Sequence, residues 1–127
     1  MILNKRVDGY HFVVVDDESI SLSVTSYLLE SMGAQVSDFS CPFQALDYCK
    51  KWHCDVDIVI TDIVMPSMSG IALASQLSLL SPALSLIALS GNELIADQRA
   101  LKEAGFLGML AKPLSPQHLV SLITTAD

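Results

Sequence analysis

Five short runs of β-branched and apolar residues recur along the chain, each followed by a stretch with helical periodicity. This alternation constrains the fold more than any other feature. The runs are Tyr10–Val15, Ala34–Phe39, Val56–Thr61, Leu84–Leu89 and Phe106–Ala111. Ser19–Met32 carries Ile20, Val24, Tyr27 and Leu28 at helical spacing, with Gly33 as a stop. Cys41–Trp52 reads as a second helix, with Ser40 as N-cap and Pro42 in its first turn. Gly70–Leu80 forms a third, punctuated by Pro82, and a fourth runs from about Glu93 to Ala104 with Gly105 at its C′ position. Ser115 caps a last helix that opens at Pro116. Strands that alternate with helices pair in parallel, with the helices on both faces. Apolar runs that are continuous rather than alternating fit a sheet covered on both sides. The expected fold is therefore α/β: a single doubly wound (βα)5 sandwich around a five-stranded parallel sheet. In such sheets ligands bind beyond the carboxyl ends of the strands.

Composition removes several classes of function. A chain of 127 residues is one domain, able to bury roughly two-thirds of its unfolded surface. Its hydrophobic share of 51% is too high for a disordered chain. No apolar run approaches the ~18 residues of a membrane span, so no membrane role is expected. The first residues do not read as a secretory signal. Cys41, Cys49 and Cys54 form no CxxC pair, so the expected compartment is the reducing cytoplasm. Cys49, His53 and Cys54 crowd together, but tetrahedral zinc wants a second pair of ligands, and free buried cysteines are the better reading. Fourteen acids against seven bases give a charge of −7, which disfavours direct nucleic-acid binding. No GxGxxG follows the first strand and no Walker-type loop occurs, so nucleotide binding by either route fails.

The remaining acids fall in an ordered way. The first strand ends in Asp16-Asp17, the third in Asp62, the fourth in Ser90 and the fifth in Lys112. Singly, each has a simpler role: Asp16 and Asp17 as helix-capping acids, Asp62 as a loop acid, Lys112 as a surface lysine. Together they bring three carboxylates, a hydroxyl and an ammonium to one edge. Neighbouring carboxylates raise one another's pKa unless a cation intervenes, and a hard divalent ion such as Mg²⁺ resolves that conflict through oxygen ligands. Lys112 adds a compact positive charge and Ser90 a donor to an oxyanion. This equipment suits phosphorylation of an aspartate nucleophile, with charge on the transferring oxygens neutralised by metal and lysine.

Four segments then carry a family resemblance: VVVDDE at Val13–Glu18, ITDIVMPSMSG at Ile60–Gly70, LIALSG at Leu86–Gly91 and LAKPLS at Leu110–Ser115. In this order, and from about Tyr10 to the C-terminus, the chain resembles the receiver domain of two-component response regulators, of flavodoxin-like topology. The resemblance implies that Asp62 is the phosphoacceptor and that Asp17 ligates Mg²⁺ directly. It implies that Asp16 reaches the metal through water and that the backbone carbonyl of Val64 is a further ligand. Ser90 matches the hydroxyl that bonds the phosphoryl oxygen and shifts on activation, and Lys112 matches the lysine that contacts the phosphoryl group. The Lys112–Pro113 bond is usually cis in the family, a minority state held by context, which here would aim Lys112 into the site.

Five positions qualify or extend the resemblance. Met109 stands where the family usually has Tyr or Phe, the residue that couples phosphorylation to the face formed by helix four, strand five and helix five. Met fills such space with many rotamers, so an equivalent filler and a weakened switch are both open. Val64 and Asn92 flank the path of an attacking water, and an apolar Val64 offers it no hydrogen bond, so slow self-dephosphorylation is expected. Leu94 and Ile95, near the start of helix four, are either exposed on the output face or packed inward.

The implied function is a phosphorylation-dependent switch. A sensor histidine kinase or phosphotransfer protein supplies the phosphoryl group, and a downstream protein or an effector domain outside this chain reads the change. A homodimer is also compatible. Two competitors differ in class. One is a phosphorylation-independent receiver-like interaction module, which Met109 favours and the complete set of acids, Ser90 and Lys112 opposes. The other is a turnover phosphatase, which wants a second acid where Val64 stands. Beyond self-phosphorylation and self-dephosphorylation no enzyme activity is expected. Met1–Gly9 reads as a leader and residues 10–127 as the receiver, either free-standing or part of a longer regulator or hybrid kinase. The short last helix and the missing linker lean toward the longer protein.

Overall fold

A computed structural model describes residues 7–91 and 98–125. The strands are β1 (His11–Val15), β2 (Gln35–Phe39), β3 (Ile58–Asp62), β4 (Ser85–Ser90) and β5 (Phe106–Ala111). The helices are α1 (Ser19–Ser31), α2 (Pro42–Trp52), α3 (Gly70–Leu80), α4 (Gln98–Glu103) and α5 (Pro116–Thr125). The strands pair in parallel in the order β2-β1-β3-β4-β5. Strand order therefore reverses at β1, and the crevice beside β1 and β3 is where a ligand of such a sheet belongs.

The sheet separates two cores. On one side Val13, Val15, Val59, Leu86 and Ala88 meet Ala45, Leu46 and Cys49 of α2, Leu73, Ala74 and Leu77 of α3, and Leu101 of α4. On the other, Phe12, Val14, Ile58, Ile60, Ile87 and Leu89 meet Leu29 of α1 and Leu119 of α5. The two sets alternate along each strand, as the two-residue period requires. The central strands β1 and β3 are buried at every position. Continuous burial does not extend to the edges: β2 exposes Gln35 and Asp38 and only half-buries the rest, and β5 exposes Leu107 and Met109. One layer of helix covers an edge strand less completely than a central one.

Several local expectations are corrected. The N-cap of α2 is Cys41, not Ser40, and no side chain caps that end; Pro42 at the first position has no N–H and so needs no acceptor there. The third strand starts at Ile58 rather than Val56, because His53–Asp55 form a 3-10 turn and Val56 N–H donates to the His53 carbonyl. The start of the fourth helix, with Asn92, Leu94 and Ile95, lies outside the described residues; from Gln98 to Glu103 the chain is helical. The three cysteines are free, but only Cys49 is buried, while Cys41 is half-buried and Cys54 exposed. Gly33 and Gly105 end α1 and α4 with φ of +97° and +103°, in the left-handed region open to glycine. No helix among the described residues is long and apolar enough to cross a membrane.

Candidate functional site

All five polar residues singled out at strand ends reach the same edge of the sheet. Asp62 is the last residue of β3 and Ser90 the last of β4, and both are buried. Asp16 follows β1 directly, tied by its N–H to the Phe39 carbonyl of β2 at 3.1 Å, and is fully buried. Lys112 follows β5, and its N–H donates to the Ser90 carbonyl at 2.8 Å. The peptide bond between Lys112 and Pro113 is cis. Continuation of the sheet's own pairing thus fixes where each functional side chain starts.

The loop after Asp62 is held from below. Gly70 N–H donates to the Ile63 carbonyl at 2.8 Å, and a Cβ at Gly70 would collide with the Asp62 carbonyl oxygen. Only glycine permits that approach. Ser69 caps α3 by accepting the Ala72 N–H at 3.1 Å. Met65 is buried and Met68 half-buried against the same core, so both methionines pack the loop. Val64 projects outward, 60% exposed beside the site.

Lys112 is the centre of the charge arrangement. Its Nζ lies 2.9 Å from Asp16 Oδ2, 3.2 Å from Asp62 Oδ2 and 3.5 Å from Glu18 Oε1. The other Asp62 oxygen, Oδ1, accepts the Ile63 N–H at 2.8 Å, and Asp16 Oδ1 accepts the Glu18 N–H at 3.0 Å. The close approach of Lys112 to Asp16 is an ion pair without hydrogen-bond alignment, so buried Asp16 Oδ2 accepts no hydrogen bond. The helix-capping role open to Asp16 and Asp17 is not what the structure shows: Glu18 holds the N-cap position of α1, and its side chain makes no capping bond.

Burial pushes the Asp62 carboxyl above the usual carboxylate range, the Lys112 ammonium pulls it back, and the Asp16 charge raises it again. Burial and the Asp16 charge together outweigh the lysine, so the net direction is upward. For Lys112, burial lowers the pKa, but Asp16 and Asp62 outweigh it and the ammonium is held charged beyond its ordinary range.

Asp16, Asp17 and Asp62 each offer a carboxylate oxygen, and the three oxygens lie within 4.8 Å of one another. Two of these residues are buried and Asp17 is exposed, so the cluster opens to solvent on one side. An all-oxygen set, with one buried oxygen lacking a donor, fits a hard divalent cation that keeps some of its waters. A groove of about 450 Å³ runs from this mouth along α1, lined by Glu18, Ile20, Val24, Thr25, Gly91 and Lys112 among others. Glu18 was not singled out in the sequence. Its adjacency to Asp16-Asp17 was the available signal, but its pairing with a residue 94 positions away was not.

The sequence matches the profile of the response regulator receiver domain over residues 12–124. The chain belongs to that family. The receiver is 32% identical over 117 residues to the cyclic di-GMP phosphodiesterase response regulator RpfG of Xanthomonas campestris, covering 87% of this chain and 30% of the relative. It is 31% identical over 117 residues to the sensor histidine kinase RcsC of Escherichia coli, covering 92% of this chain and 12% of the kinase. Among solved structures, a response regulator receiver domain protein from Clostridium thermocellum superposes with a TM-score of 0.84 at 29% identity, covering 92% of this chain and 93% of that one. The chain spans less than a third of the length of the curated relatives named here. Receivers act in two-component phosphorelay signalling, and this chain is a receiver of that kind.

Proposed function

We propose that the receiver accepts a phosphoryl group on Asp62 and that the modified site alters a protein-binding face. One observation carries the reading: Lys112 Nζ reaches the Oδ2 atoms of both Asp16 and Asp62 at the mouth of a three-carboxylate cluster. An Asp62 oxygen attacks the donor phosphorus as the bond from phosphorus to the donor's imidazole nitrogen breaks, and the donor leaves with that electron pair. The product is an acyl phosphate on Asp62. Lys112 gives up its contact with Asp62 to pair with the phosphoryl oxygens, and Ser90, on the next strand, donates to one of them. Asp17, Asp16, Asp62 and the Val64 carbonyl would hold Mg²⁺, which when bound offsets charge on the transferring oxygens.

Residues 10–127 are then one functional unit, serving a cytoplasmic phosphorelay. A sensor histidine kinase or phosphotransfer protein is the donor. The readout lies on the face of α4, β5 and α5, where Leu107 and Met109 are exposed. Incubation with Mg²⁺ and acetyl phosphate, followed by intact mass, tests the reading. A single phosphoryl addition is expected, absent in Asp62→Ala and in the presence of a chelator. No addition to the parent protein would leave a receiver fold that works without phosphorylation.

A further inference from the structure

We propose that Glu18 is a specificity-determining residue that disfavours small anionic phosphodonors, acting through Lys112 and through its own charge at the mouth of the site. The inference rests on the phosphoacceptor role of Asp62. Two carboxylates, Asp16 and Asp62, are buried against Lys112 and belong to the metal and acceptor machinery. Glu18 is different in kind. Its side chain is 70% exposed, lines the groove that leads to the cluster, and approaches the same ammonium from outside at 3.5 Å. Its N–H is tied to Asp16 Oδ1, which keeps the residue beside the opening.

The charge there has two effects on an incoming phosphoryl group. It competes for Lys112, which the group must recruit, and it repels a dianion that passes within a few ångströms. Neither effect is offset for a donor as small as acetyl phosphate. A protein donor differs, because it gains contact area along the same groove, where Ile20 and Val24 are exposed beside Glu18. Contacts of that kind offset a local repulsion that a small molecule meets in full. Glu18 thereby favours a docked donor over free metabolites that carry a reactive phosphoryl group.

The experiment compares the second-order rate of phosphorylation by acetyl phosphate, at saturating Mg²⁺, in the parent protein, Glu18→Gln and Glu30→Gln. Glu30→Gln makes the same charge change on an exposed residue at the far end of α1. We expect Glu18→Gln to react about two- to fivefold faster at low ionic strength, a gain that shrinks toward unity at ~1 M salt, where screening acts within about 3 Å. Glu30→Gln should match the parent. Equal or slower rates in Glu18→Gln, a gain insensitive to salt, or an equal gain in Glu30→Gln would overturn the inference. Thermal unfolding of each variant identifies a folding defect, in which case Glu18→Ala is read by the same criteria. A parent protein that takes up no phosphoryl group would instead overturn the acceptor role of Asp62.

Discussion

Asp62 sits where its own charge is poorly accommodated, and this has a consequence for stability. Its pKa is raised in the folded protein, chiefly by burial, with Asp16 adding to the effect and Lys112 opposing it. The folded state therefore binds the proton more tightly than the unfolded chain does. Below the unfolded pKa both states are protonated and nothing is lost; above the folded pKa the full cost of the buried carboxylate is present. Asp62→Asn should accordingly raise Tm by a few degrees at neutral pH in metal-free buffer. The difference should close as the pH falls toward about 4, the range of an ordinary carboxyl. Thermal melts of both proteins across that range check this, and a gain that persists at low pH would assign it to packing instead. Lys112 retains Asp16 as a partner in the variant, so no unpaired ammonium is created. If Asp62 carries the phosphoryl group as proposed, Val64 is the neighbour expected to set the lifetime of the acyl phosphate. Its exposed side chain offers no hydrogen bond to an attacking water, and Val64→Asn supplies one. We expect faster loss of the phosphoryl group in that variant, by several-fold, followed by intact mass after the donor is removed. An unchanged lifetime would place the control of hydrolysis elsewhere.

At the scale of elements, the sequence's periodicity located every strand and α-helix within the described residues, because continuous apolar runs and glycine stops are local signals. Boundaries were less legible where two local signals compete. Ser40 and Cys41 both precede Pro42, and the helix starts one residue later than the better capping side chain suggests, since proline takes the first helical position. The 3-10 turn at His53–Asp55 carries no mark in the sequence that separates it from the end of α2 or the start of β3. The site was legible for a physical reason as well: parallel strands deliver their carboxyl ends to one edge, so polar residues at those ends must meet. What remained hidden were relations across the chain, above all the reach of Lys112 to Glu18 and the backbone contact that excludes a side chain at Gly70. The caps make the contrast testable. Ser69→Ala removes the acceptor of the Ala72 N–H and should cost about 1 kcal/mol in denaturant unfolding. Ser40→Ala, which removes no capping bond of α2, should change stability by less than about 0.5 kcal/mol. Equal losses would restore Ser40 as the cap.

For the molecule as a whole, the two cores share their strands. β1, β3 and β4 each send alternate residues into both, so neither side can be lost while the other keeps its sheet. Such coupling predicts one cooperative unfolding transition for a domain of this size. The cysteines report on it without added probes. Cys49 lies at the centre of the core formed by α2, α3 and α4, and burial pushes its thiol up to about 11. Thiols react as thiolates, so Cys49 is protected twice, by exclusion of reagent and by its pKa. Cys54 is exposed and should label with a disulfide reagent at neutral pH far faster than Cys49. Labelling of Cys49 then requires the core to open, and its rate should rise with urea along the slope of global unfolding. The raised pKa also fixes a sign. The folded state holds the thiol proton more tightly, so its contribution to stability is complete below about pH 9 and lost as the pH rises toward 11. Cys49→Ala removes that pH dependence while creating a small cavity, so its stability should fall at neutral pH and approach that of the parent above pH 9. Labelling of Cys49 that runs as fast as that of Cys54, or that ignores urea, would mean that the α2 side opens by itself and that the two cores are not one cooperative unit.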